Sequence, residues 1–76
     1  MIRLRVKEVA EQRGISQRQL QIRSELDMRI IHRVIRNDRA NITLITLDRL
    51  AKALGVDPRE LIEPVTEPSN DALLEQ

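Results

Sequence analysis

"SQRQLQIRSELDMRIIHRVIR", from Ser16 to Arg36, runs twenty-one positions without a glycine or a proline. Read as one helix turning about 100° per residue, it spreads Leu20, Ile22, Leu26, Met28, Ile30, Ile31, Val34 and Ile35 over roughly 240° of its circumference. A helix packed on one side in a small domain carries a narrower stripe. Broken near Ser24–Asp27, the second part tightens: Met28, Ile30, Ile31, Val34 and Ile35 occupy about 160° on the same geometry. Asp27 is a good N-cap residue, and its carboxylate would meet the positive end of the new helix. The stretch therefore predicts two helices meeting at a corner. One long helix would suit a coiled-coil or hairpin module, whereas two at a corner suit a reader of DNA.

The flanking sequence supplies the other elements. "MIRLRV" alternates Ile2, Leu4 and Val6 with Arg3 and Arg5, the period of a short strand or extended arm. From Val6 the period becomes helical, and Gly14 stands where a C-terminal cap belongs, so a first helix is expected over roughly 6–13. Ser16 with Gln19 three residues on forms a capping-box pattern for the second. Thr43 reads as the cap of a further helix, with Ile42 and Leu47 spaced for a hydrophobic staple. The stripe of that helix is Leu44, Leu47, Leu50, Ala51 and Leu54, and Gly55 ends it. "VDPRELIE" predicts a short last helix, with Asp57 as cap and Pro58 in its first position. Beyond Pro64, "VTEPSNDALLEQ" reads as a mobile tail in which "DALLEQ" is too short to be a stable helix by itself.

Composition bounds what such a chain can be. Seventy-six residues make one small domain, and 24 of them are Ile, Leu or Val with no aromatic residue, so the core must be aliphatic. The absence of cysteine rules out a disulfide framework and agrees with a reducing cytoplasm. No apolar run approaches the ~18 residues of a membrane span, and a soluble, cytoplasmic protein is expected. The net charge of +1 hides a division. Residues 1–62 hold thirteen Lys/Arg against eight Asp/Glu, a balance of +5, while residues 63–76 hold four acids and no base, a balance of −4. The expected organisation is a body over 1–62 and an acidic tail over 63–76. A basic body suits a polyanionic partner, although charge alone fits an ordinary solvated surface as well.

The chain resembles the Cro/repressor-type (XRE) helix-turn-helix family. "VKEVAEQRGISQRQL" is similar to the family's first helix and the start of its second, and "LDMRIIHRVIRN" sits where the recognition helix lies. "NITLITLDRLAKALGVDPRELI" is close to its fourth and fifth helices. Leu20, Leu26, Ile31 and Val34 fall at the spacings that pack the two-helix motif, over about residues 17–36. The resemblance implies an all-α, five-helix lambda-repressor-like DNA-binding domain with a short extended N-terminal arm and an acidic tail. Two positions depart from the family's habit: Gln21 stands where a small residue is usual, and Glu25 where the turn usually has glycine.

In such folds the recognition helix enters the major groove and the preceding helix lies across the backbone. Carried onto this sequence, the base-reading positions are Met28, Arg29, His32, Arg33 and Arg36. Arginine suits this role because its planar fork can bond guanine O6 and N7 together; Met28 could meet a thymine methyl. The resemblance points to Gln17 as a phosphate anchor. Arg18, Arg39 and Asn41 are further phosphate candidates, which set register and affinity more than sequence preference. His32 is the one histidine and cannot build a metal site without other ligands; no cofactor and no enzymatic activity are expected.

Family members usually pair as two-fold dimers on palindromic half-sites. Candidate contacts for a homodimer are Ile2, Leu4, Leu61 and Ile62, with Leu73 and Leu74 of the tail as further apolar candidates, and the arm could add edge to edge to a twin or cover its own core. The expected function is a sequence-specific double-stranded DNA-binding transcriptional regulator, with repression as the family default. The alternative is a protein-interaction module, such as an antitoxin that keeps the fold and holds a protein partner through its tail or through exposed Ile22.

Overall fold

The structure is a computed structural model and describes residues 1–65. Strand β1 (Ile2–Leu4) leads into α1 (Val6–Gln12), α2 (Gln17–Ser24), α3 (Met28–Arg36) and α4 (Leu44–Leu54). A 3-10 turn (Pro58–Leu61) and strand β2 (Ile62–Pro64) follow. The long stretch is indeed two helices, parted at the expected place.

Each helix ends for a local reason. At the close of α1, Gly14 (φ 66) donates to the Glu11 carbonyl at 3.2 Å while Ile15 N–H reaches back to Ala10 at 2.9 Å. That Schellman pairing satisfies two otherwise orphaned carbonyls. Gly55 (φ 71) closes α4 in the same manner, with bonds to the Lys52 and Ala51 carbonyls. Thr43 caps α4 by accepting from Thr46 N–H, and Ile42 and Leu47 both pack partly buried against the core.

Among the described residues, twelve apolar ones form that core. Leu20, Ile31, Leu50 and Leu61 are fully enclosed, and α4 contributes Leu50, Ala51, Ala53 and Leu54. Ser24 is the one buried polar residue among those described; its hydroxyl donates to the Gln21 carbonyl and accepts from Leu26 N–H.

Two expectations, the fifth helix and the place of Leu44, are corrected. The fifth helix is a single 3-10 turn, because the chain must become extended at Ile62 to pair with β1; Asp57 caps it and Pro58 opens it as foreseen. Of the two places left open for the N-terminal arm, a twin or the chain's own core, it takes the second. It lies antiparallel to β2 with Ile2 opposite Pro64, Arg3 opposite Glu63 and Leu4 opposite Ile62. Residues 66–76, with Leu73 and Leu74, lie outside the described residues. Leu44, expected in the α4 stripe, is 83% exposed, because helical side chains lean toward the N-terminus and one in the first turn projects past the core.

Candidate nucleic-acid interface

The corner between α2 and α3 is built by three consecutive devices. Ser16 and Gln19 close a reciprocal capping box at the start of α2, at 3.2 and 3.1 Å. At its end Glu25 takes the left-handed conformation (φ 58), the one non-glycine residue to do so among those described, and its N–H bonds the Gln21 carbonyl at 2.9 Å. Asp27 then caps α3, its carboxylate accepting from Arg29 N–H at 2.8 Å. That backbone bond, with the nearby Arg29 charge, holds the Asp27 carboxyl below its usual range. Leu20, Ile31 and Val34 are buried and Leu26 is partly buried, so the apolar seam of the motif is as the spacing predicted.

With Ile31 and Val34 turned inward, α3 shows its arginines to solvent. The Arg29 side chain is 92% exposed, 3.6 Å from Asp27, and Arg33 and Arg36 are exposed as well. Met28 is partly withdrawn and packs against the core, and His32 is half-buried. The loop after α3 lies beside this face, since the Arg33 guanidinium donates to the Asn41 carbonyl. Asn37 organises the same loop by accepting from Arg39 N–H at 3.0 Å. Gln17 and Arg18 are exposed in the first turn of α2, where backbone N–H groups without helical partners favour an anion.

Two of the basic residues are committed elsewhere. Arg3 bonds Glu8 and Glu63 and lies 3.0 Å from Asp38, and Arg5 stands 3.8 Å from Glu63. Burial pushes the Glu8 carboxyl up, but the hydrogen bond and charge of Arg3 outweigh it and leave it below its usual range. This cluster ties β1, α1, the loop after α3 and β2 together. The sequence reading missed it, and no local signal could have revealed it, because the partners of Arg3 lie 5, 35 and 60 positions away.

A capped corner carrying an arginine face is the geometry of a helix-turn-helix, and a family model for the Cro/C1-type helix-turn-helix DNA-binding domain matches residues 5–67. The chain belongs to that family. The Cro/C1-type domain is also similar to two solved structures. The restriction-modification controller protein C.AhdI from Aeromonas hydrophila is 34% identical, with 74% of this chain and 83% of that one covered at a TM-score of 0.66. A Bacteroides fragilis protein proposed to bind DNA is 28% identical, with 83% and 100% covered at a TM-score of 0.72. No curated protein matches the chain. Within this Cro/C1-type domain, α2, the Ser24–Asp27 corner and α3 are the helix-turn-helix, and double-stranded DNA is what such a domain binds. Among the described residues no group of acidic or histidine side chains could hold a metal ion, and no helix is long and apolar enough to cross a membrane.

Of the residues named as dimer contacts, Leu4 and Leu61 are taken up by the chain's own core, which leaves them almost no surface for a twin. Ile2 is exposed and Ile62 half-buried.

Proposed function

We propose that this protein is a sequence-specific transcriptional regulator of the cytoplasm that binds palindromic DNA as a homodimer, reads the major groove with α3, and represses by occluding polymerase. The observation that carries this reading is the exposed arginine face of α3, held at a fixed corner by the Asp27 cap and the buried seam. Arg29 and Arg36 have the freest access to base edges. Arg33 shares their face, and Met28 and His32, half withdrawn, flank it. Gln17 and Arg18 at the start of α2, with Arg39 and Asn41 in the loop beside α3, meet the phosphates. The likeness to a restriction-modification controller supports a regulatory role.

Selection from a random duplex library with the purified protein tests the proposal. An enriched palindrome is expected, with half-sites spaced by about one helical turn, ~34 Å. Arg29→Ala should cost about 1–3 kcal/mol of discrimination at one base pair. Arg18→Ala should weaken all sequences alike and reduce the log–log salt slope by about 0.9. A folded protein that enriches nothing refutes the reading.

A further inference from the structure

The loop that joins α3 to α4 alternates along its length. Ala40 and Ile42 pack partly buried against the core, while Arg39 and Asn41 are exposed. Its first half is fastened to β1. Leu4 N–H bonds the Asp38 carbonyl at 2.6 Å, Arg3 lies 3.0 Å from the Asp38 carboxylate, and the Arg39 guanidinium reaches the Met1 thioether at 2.8 Å. Its second half meets α3 through Arg33, whose Nη2 donates to the Asn41 carbonyl. Among the described residues Arg33 has no other polar partner.

We infer that Arg33 is a positioning residue and not a reader of bases: from α3 it braces the Asn41 peptide, so that Asn41 is set in advance to meet a DNA phosphate. The inference rests on the proposed DNA-reading face and divides the work of its arginines. A guanidinium offers two donors side by side as Nη1 with Nη2 or as Nε with Nη2. Nη2 belongs to both forks, so the Asn41 carbonyl competes with guanine O6 and N7 for the nitrogen that either fork needs. Arg29 stands 3.6 Å from neighbouring Asp27, and neither it nor Arg36 has a described bond to the loop, so base reading falls to those two.

The brace matters because of where the loop is otherwise held. Its β1 fastenings act at Asp38 and Arg39, and the Asn41 side chain is exposed with no described bond of its own. An exposed segment left unfixed loses conformational freedom when it binds, which lowers affinity. Tying its peptide to a helix that enters the groove removes that loss beforehand and fixes the phosphate contact relative to the reading side chains. Contacts of this kind set affinity and register and carry no sequence information. Arg33 therefore acts on all sequences alike, through Asn41.

The test has one arm without DNA and one with it, both on the full chain. Without DNA, hydrogen exchange reads the loop at the Ala40 N–H, which donates to the Asn37 carbonyl at 3.1 Å. Arg33→Ala is expected to speed that exchange severalfold. Arg33→Lys, which keeps a donor of similar reach but not the planar fork, should restore the protection. With DNA, Arg33→Ala should weaken every sequence by the same factor, about tenfold for one charge-assisted contact, and leave the selected base preferences unchanged. Arg33→Lys should bind and select as the wild type does. In an Asn41→Ala background, Arg33→Ala should cost little more, because the two act as one unit. A preference relaxed at one base pair by Arg33→Ala makes Arg33 a reader and overturns the inference. So does a loss that simply adds to that of Asn41→Ala, or Ala40 exchange unmoved by Arg33→Ala. A selection that enriches nothing refutes the DNA-reading proposal, while faster Ala40 exchange in Arg33→Ala would leave the brace standing.

Discussion

Glu25 occupies a backbone conformation that costs a non-glycine residue roughly 1–2 kcal/mol, and it does so at the corner that orients the recognition helix. Replacing it with glycine removes that strain but returns some unfolded-chain entropy. Glu25→Gly should therefore gain less than about 1 kcal/mol, raising Tm by less than about 4–8 °C for a domain of this size. A lowered Tm would mean that the Glu25 side chain makes a compensating contact. One residue earlier, Ser24 is buried and its hydroxyl serves both Gln21 and Leu26. Ser24→Ala leaves the Leu26 N–H without its partner and should cost about 1–3 kcal/mol, measurable by urea unfolding. At this scale the sequence was legible for caps and opaque for ion pairs. Ser16, Asp27, Thr43 and Asp57 cap as expected, because a cap bonds the backbone two or three residues along. The Arg3 cluster joins residues from opposite ends of the chain and left no trace in local spacing.

The helices depend on those caps, which makes their stability sensitive to acid. Asp27 at the head of α3 is held low by the Arg29 backbone bond, and Asp57 at the 3-10 turn is held low by Arg59, side chain first and backbone second. A carboxyl whose folded value lies below its unfolded value contributes stability above the unfolded value, and loses it as pH falls through the folded one. Tm should therefore be flat above about pH 5 and fall below about pH 4, the ordinary carboxylate range. Asp27→Asn, which can still accept from Arg29 N–H but does not titrate, should make that fall shallower. An unchanged profile would remove Asp27 from the account. For α4, Thr43→Ala should cost about 1 kcal/mol in chemical denaturation. Periodicity named α4 well in its middle and failed at its first turn, where Leu44 is exposed. It called for a last helix where only four residues separate Asp57 from a strand.

For the whole molecule, the aliphatic core leaves little margin. Leu50 is fully enclosed, and Leu50→Ala should cost about 2–5 kcal/mol, a large share of the ~5–15 kcal/mol that a domain commands. Urea denaturation should show the midpoint falling with little change in slope. The sequence by itself determined the break between α2 and α3, the four α-helices, the seam of Leu20, Ile31 and Val34, and the outward set of arginines. All of these follow from periods, caps and turns that act within a few residues. Tertiary structure alone decided that β1 pairs with β2, that Leu4 and Leu61 belong to the chain's own core, and that Arg3 is an anchor. Those depend on segments about 60 positions apart meeting in space, and such a meeting is settled by packing of the whole chain, which no local pattern records.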